Sequence, residues 1–126
     1  MASLKILALL TLTLFISVNS AMGSYKSLSP SELTELKESE DFKEIQRKVN
    51  EAYVLRQKEL FSRENAPEPT LIAAKQQIVS GINYQLLYEC PETLKLTAFK
   101  IYTQSWTETF EITEVLDDFN SKDWDS

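Results

Sequence analysis

The sequence contains no histidine, a single cysteine at Cys90 and only two glycines, Gly23 and Gly81. Without histidine the chain lacks the commonest general base and the commonest metal ligand of proteins. Ser-His-Asp and Cys-His catalytic arrangements are therefore excluded, and so are zinc sites with histidine ligands. A single cysteine permits no disulfide within the chain, so the hydrophobic core has to hold the fold unaided.

The lone cysteine also bears on the oligomeric state. Cys90 is expected to be a partly shielded free thiol, because unpaired cysteine usually behaves as a small buried hydrophobe. We expect a monomer. A dimer, either linked through Cys90 or formed by domain swapping, is the alternative.

Basic residues are also scarce. The chain has 13 lysines and arginines against 19 aspartates and glutamates, and a formal net charge of −6. An acidic chain without a basic cluster repels phosphate backbones and anionic lipids, so neither nucleic acid nor membranes are expected as partners. Asp117 and Asp118 are the remaining acid–base candidates, but charge pairs near a chain end are normally solvated. We therefore expect no enzymatic activity and no cofactor.

Residues 1–20 have the layout of a secretory signal peptide. Lys5 gives the start a positive charge, residues 6–18 are almost purely apolar, and the small residues Ser20 and Ala21 follow. The apolar run is short for a membrane span, which needs about 20 residues. An uncleaved signal anchor is the alternative. We expect cleavage after Ser20 or Ala21, and secretion to the extracellular space or the endolysosomal lumen.

The first half of the predicted mature chain has sequence patterns typical of helices. Ser29 is expected to cap a helix, with Pro30 in its first turn and Glu32 completing a capping box. Apolar residues then recur at three- and four-residue steps and predict one long amphipathic helix over residues 41–60. These apolar residues are Phe42, Ile45, Val49, Ala52, Tyr53 and Leu60.

The second half of the chain has the pattern of strands. Residues 62–69 form a proline-containing connector, and alternation of apolar and polar residues is clearest over residues 82–89, with Leu87 as an exception. One helix followed by antiparallel strands predicts an α+β domain over residues 21–116. Residues 117–126 are expected to be a solvated acidic tail. The predicted strands are 70–79, 82–89, 94–103 and 107–116.

Two predicted hairpin tips carry conspicuous residues. Gly81 lies in the first, where we expect a tight turn to require a positive φ. Trp106 lies in the second, where a tryptophan has no core to enter, and exposed tryptophan often marks a binding contact. The residues alone also permit a purely structural account, in which Gly81 only makes the turn and Trp106 folds back on its own sheet.

These residues resemble those of the cystatin family. Residues 77–81, Gln-Ile-Val-Ser-Gly, fit the family's Q-x-V-x-G motif, and an Asn-Tyr pair flanks it. Ser105 and Trp106 resemble the second hairpin, where the family usually has Pro-Trp, and Gly23 resembles the glycine of the family's N-terminal segment. The match covers residues 23–116, and it is specific through the combination of these features, since the motif alone is weak.

The resemblance implies a curved antiparallel sheet wrapped around one long helix, and reversible, non-covalent inhibition of papain-like, cathepsin-type cysteine proteases. In the family, the N-terminal segment and two hairpins form a wedge that fills the protease cleft without reacting with the catalytic thiol. Carried over, Ala21 and Met22 occupy unprimed subsites. The implied protease-binding residues are Met22, Gly23, Gln77, Ile78, Val79, Ser80, Gly81, Ser105 and Trp106.

The chain departs from the family pattern in three ways. Ser105 replaces the usual proline, which predicts a less rigid second hairpin, and the absence of disulfides resembles stefins and plant cystatins. Asn65 lies in the connector after the helix, but its neighbours do not match the family's Ser-Asn motif for legumain inhibition. A binding or storage protein that kept the cystatin fold and lost inhibition is the alternative function.

Overall fold

Residues 24–125 are described by a computed structural model of the chain. Within this range the protein is an α+β domain with one open, five-stranded antiparallel sheet and two α-helices. The predicted signal peptide, Met22 and Gly23 lie outside the described residues. The elements are β1 (Lys26–Ser27), α1 (Pro30–Glu38), α2 (Glu40–Phe61), β2 (Thr70–Ile78), β3 (Ile82–Glu89), β4 (Leu96–Gln104) and β5 (Thr109–Leu116).

The helical region begins as its sequence predicts but contains a break. Ser29 caps α1, since its Oγ accepts a hydrogen bond from the Glu32 amide and the Glu32 carboxylate accepts one from the Ser29 amide. These bonds, with Lys26 nearby, lower the pKa of Glu32 to about 2. Ser39 has an extended backbone and caps α2 by accepting from the Phe42 amide at 3.4 Å. The helical region therefore consists of the short α1, which Ser29 caps, and the long α2 over Glu40–Phe61.

The sheet is a simple meander in the order β1-β2-β3-β4-β5. The predicted bounds of β3 are confirmed, and its side chains at Tyr84, Leu86 and Tyr88 are buried against α2. Phe42 of α2 packs edge-on against Tyr84 with ring centroids 5.6 Å apart, and Tyr88 packs against Phe99 at the same distance. The core therefore lies between α2 and one face of the sheet.

Two strands start later than the sequence predicts because turn geometry overrides the apolar pattern. Leu94 has a φ of 61° and belongs to the β3–β4 turn, so β4 starts at Leu96. Ser105–Thr107 forms a short 3₁₀ turn followed by Glu108 at a φ of 54°, so β5 starts at Thr109. The two-residue strand β1 was not predicted, since its polar residues carry no strand pattern.

The segment after β5 is not a freely solvated tail. Arg56 of α2 makes a two-pronged ion pair with Asp117, with its Nη2 2.6 Å from Oδ2. Trp124 lies against Lys75 of β2, with the ammonium nitrogen 4.5 Å from the ring centroid. Lys75 is on the sheet face opposite the core, because its neighbour Ala74 is buried on the core side. The segment therefore folds back over the outer face of the sheet.

The two ends of the sheet carry different features. β3 runs from the hairpin that starts at Ile78 towards Cys90, and α2 runs in the same direction, since Phe42 packs near the start of β3. Arg63, just after α2, contacts Cys90 with a nitrogen–sulfur distance of 3.8 Å. Among residues 24–125, no helix has both the length and the apolar character needed to cross a membrane.

Candidate functional site

The two hairpins singled out by the sequence turn at the same end of the sheet. The first closes between Ile78 and Ile82 and the second between Gln104 and Thr109. Because β3 and β4 are neighbours, with Ile82 paired to Thr103, the two tips lie side by side. We call residues 78–82 and 104–109 together the hairpin edge.

Gly81 is required at the first tip for a reason that differs from the sequence expectation. The prediction of a positive φ is wrong, since Gly81 does not adopt the left-handed region, and the turn closes with a 2.9 Å bond from the Val79 amide to the Gly81 carbonyl. A Cβ at this position would collide with the carbonyl oxygen of Thr103 and come within 2.7 Å of the Tyr102 hydroxyl. Close approach of the neighbouring strand therefore demands glycine.

The second tip is ordered by hydroxyl groups. The Glu108 amide donates to the Ser105 carbonyl at 3.1 Å and closes the 3₁₀ turn. The Thr107 hydroxyl lies 2.8 Å from the Gln104 Oε1, which accepts from it, and 2.6 Å from the Thr109 hydroxyl. These bonds restrain a turn that has serine where the resemblance leads one to expect proline.

A side chain that the sequence did not single out joins the tips. The Nε2 of Gln104 donates a hydrogen bond to the carbonyl of Ser80 across 3.3 Å. Gln104 therefore contacts both loops, because its Oε1 accepts from Thr107 in its own hairpin. The only sequence signal is a polar residue directly before a predicted turn, which does not specify a partner 24 residues away.

The surface of the hairpin edge is apolar at two points, and Glu108 is its one charged residue. Trp106 is 66 % exposed and Ile78 is 57 % exposed, so Trp106 does not fold back on its sheet. Ser80 and Ser105 are also exposed, Val79 is partly buried and Gly81 is buried. The edge therefore presents two large apolar side chains on a hydrogen-bonded frame, which is a feature of binding surfaces.

Gln77 supports the first hairpin from the outer sheet face. It pairs across the strands with Asn83, whose Nδ2 donates to the Gln77 Oε1 at 2.8 Å. Five of the predicted residues, Ile78, Val79, Ser80, Ser105 and Trp106, thus sit at accessible positions, whereas Gln77 and Gly81 shape the loop.

The first strand sets the direction from which the chain approaches the hairpin edge. Met22 and Gly23 lie outside the described residues. Lys26 pairs with Gln76, and β1 runs antiparallel to β2. Because β2 ends at the first hairpin, the chain enters the sheet at the end that carries the hairpin edge.

Cys90 lies at the opposite end of the sheet and is only 3 % exposed. Burial opposes ionisation of its thiol. Hydrogen bonds from the side chain and amide of Thr93 and from Arg63 outweigh burial and lower the pKa of Cys90 to about 6. A pocket of about 400 Å³ adjoins the sulfur. The prediction that the thiol is shielded is confirmed, and the thiol is not part of the hairpin edge.

The hairpin edge offers shape and apolar contact, and its side chains end in amide, hydroxyl, aliphatic or indole groups apart from Glu108. No cluster of three or more potential metal ligands occurs among residues 24–125. Comparison of the chain with protein-family models, with curated proteins and with solved structures gives no significant match.

Proposed function

We propose that the chain is a reversible, non-covalent inhibitor of papain-like cysteine proteases, with a cystatin-like fold in which the sheet curves around the helical layer. The observation that carries the proposal is the side-by-side placement of two hairpin tips, joined by the bond from Gln104 to Ser80. Ile78 and Trp106 project from this edge. A narrow, projecting edge of this kind suits an active-site cleft.

Inhibition follows from occupation of the cleft rather than from a reaction. The tip residues supply no group that would acylate or alkylate the protease thiol, so the complex is held by burial of Ile78 and Trp106 and by backbone contacts. A preformed edge loses little conformational entropy on binding. An interface of about 800 Å² on each partner would be enough for a stable complex.

Residues near the N-terminus complete the proposed contact surface. The antiparallel pairing of Lys26 with Gln76 supports this, because it brings the preceding chain towards the hairpin edge. In the proposal, Met22 occupies an unprimed subsite and Gly23 provides the bend that allows it. The proposal also includes cleavage of residues 1–20 and secretion, which N-terminal sequencing of material from a secreting cell would check.

Titration of residues 21–126 against papain tests the function. We expect stoichiometric loss of activity that reverses when the complex is diluted, and we expect papain with a chemically blocked catalytic thiol still to bind. A chain that gives a cooperative melt yet binds neither form of papain would contradict inhibition. That result would favour the alternative of a cystatin-like binding or storage protein.

A further inference from the structure

A groove of about 710 Å³ lies behind the hairpin edge, between the edge and the first half of α2. Ile78 and Trp106 form part of its lining, and Phe110 of β5 forms another part. The ammonium group of Lys48 lies 5.0 Å from the centroid of the Phe110 ring, so one cation is already held by an aromatic face inside the groove. The groove is thus continuous with the exposed apolar residues of the edge.

Four carboxylates line this groove against the single ammonium group. Glu40 and Glu44 each pair with a cation one turn further along α2, at Lys43 and Arg47. Asp41 and Glu108 are exposed and form no ion pair with any residue in the range 24–125, so their charges are available to a partner. The carboxylates belong to Glu40, Asp41, Glu44 and Glu108.

Resting on the proposed function, we infer that this acidic groove receives a basic segment of the target protease beside its active-site cleft. The combination of lining groups favours a lysine or arginine side chain. Its aliphatic part would pack on Ile78 and Trp106, while its charged end would approach Asp41 or Glu108. An acidic segment would be repelled by these carboxylates. A purely apolar segment would remove them from water without supplying a hydrogen-bonding partner.

The groove therefore determines which proteases are bound fastest. Carboxylates at the rim of an interface mainly raise the association rate and make it sensitive to salt. Among papain-like proteases with similar clefts, the groove selects those with positive charge next to the cleft. This selectivity is separate from the occlusion of the cleft itself, which depends on the apolar side chains of the tips.

The test uses the variant Asp41→Asn/Glu108→Gln and two papain-like proteases of opposite net charge at the assay pH. We expect the variant to associate with the cationic protease roughly three- to tenfold more slowly at low salt, and with a weaker salt dependence than the unmodified chain. The rate with the anionic protease should not fall. Glu108→Gln alone should give a smaller change in the same direction, and it leaves the first turn of α2 intact.

The matched control is Glu59→Gln/Glu89→Gln, which removes the same charge at the far half of α2 and the far end of β3. We expect it to keep the rate and salt dependence of the unmodified chain. If the unmodified chain inhibits the cationic protease and the two double variants have the same association rate and salt dependence, the groove assignment is overturned but the proposed function is not. Failure of the unmodified chain to inhibit either protease would instead overturn the proposed function, and the inference with it.

Discussion

Gln104 and Ser80 belong to different hairpins, and a 3.3 Å hydrogen bond from the Gln104 Nε2 to the Ser80 carbonyl holds their tips together. The same side chain accepts a bond from the Thr107 hydroxyl at 2.8 Å. One amide thus links the two loops that the proposed function places in a single cleft. Without this contact the two loops would have to lose conformational freedom when the protease binds, and this loss of entropy would weaken binding.

Replacement of Gln104 by alanine should weaken inhibition with little effect on folding. Loss of one partly exposed hydrogen bond corresponds to about 1 kcal/mol, or about fivefold in the inhibition constant. Papain titration and thermal melts measure the two effects. Gln85→Ala, which removes an amide from the middle of β3, is the control and should leave the inhibition constant unchanged. An unchanged inhibition constant for Gln104→Ala would show that the hydrogen bond from Gln104 to Ser80 does not contribute to binding.

The two tryptophans of the chain are expected to have opposite roles. Trp106→Ala should cost about 2 kcal/mol of binding, the range of interface hot spots, or about thirtyfold in the inhibition constant. Its melting temperature should change little, because the ring is 66 % exposed. A large fall in the melting temperature with full inhibition would assign Trp106 to the fold instead.

Trp124→Ala is the counterpart and should lower stability while preserving inhibition. Its ring contacts Lys75 and packs edge-on against Phe119 at a centroid distance of 6.3 Å. Loss of these contacts should cost about 1–2 kcal/mol of unfolding free energy, measured by urea denaturation. Weaker inhibition without loss of stability would contradict this assignment.

Substitutions at Gly81 distinguish close packing from a special backbone conformation. A Cβ meets the Thr103 carbonyl oxygen, which is backbone and cannot rotate away, so Gly81→Ala should cost about 1–3 kcal/mol of stability. Gly81→Asn should be worse than alanine because it adds further atoms. A positive φ would predict the reverse order, since asparagine tolerates the left-handed region better than alanine does. Thermal melts of both variants give the order.

Inhibition should fall along with stability in these Gly81 variants, because the first tip has to shift away from Thr103. Ser80→Ala serves as the control, since it alters an exposed neighbour and keeps the backbone carbonyl that Gln104 binds. We expect its melt to match that of the unmodified chain and its inhibition constant to change less than that of Gly81→Ala. Normal inhibition by a folded Gly81→Asn protein would contradict entry of the first hairpin into the cleft.

The thiol of Cys90 should titrate at lower pH than an ordinary cysteine. Its pKa of about 6 lies below the usual value of 9.0, so ultraviolet absorbance of the thiolate should appear with a midpoint near pH 6. Folding favours the thiolate, so this contribution to stability is fully present above pH 9 and is lost as the pH falls towards 6. The free energy of unfolding should therefore fall over this interval.

Two variants check the origin of this titration. Arg63→Gln removes a hydrogen bond to the sulfur and should move the midpoint upwards. Cys90→Ser should flatten the dependence of the unfolding free energy on pH between 9 and 6. A midpoint close to 9 in the unmodified chain would contradict the hydrogen-bonded thiolate.

A reducing agent should leave the melting temperature unchanged, because the chain has no internal disulfide and its one thiol is buried.

Local chemistry determined the parts of the structure that depend on neighbouring residues. The capping box at Ser29 and the strand at residues 82–89 were predicted from sequence because a cap and a period of two are short-range patterns. The two hairpin tips were located for the same reason. The sequence predicted a helix capped by Ser29 and a long helix from residue 41, but it did not identify Ser39 as the cap of the long helix.

Long-range contacts decided the rest. Leu87 breaks the alternation of β3 because it is an apolar residue on the outer face of the sheet. It pairs across the strands with Ala98 of β4, and both residues are at most 5 % exposed although they lie on the face opposite the core. The segment that carries Trp124 folds over this face, a contact made across the sheet and not encoded by any local period. The sequence by itself determined the α+β class, the absence of a disulfide within the chain and the residues at the tips. Only the tertiary structure decided why Gly81 must be glycine and how Gln104 joins the loops, because both depend on strands brought together by folding.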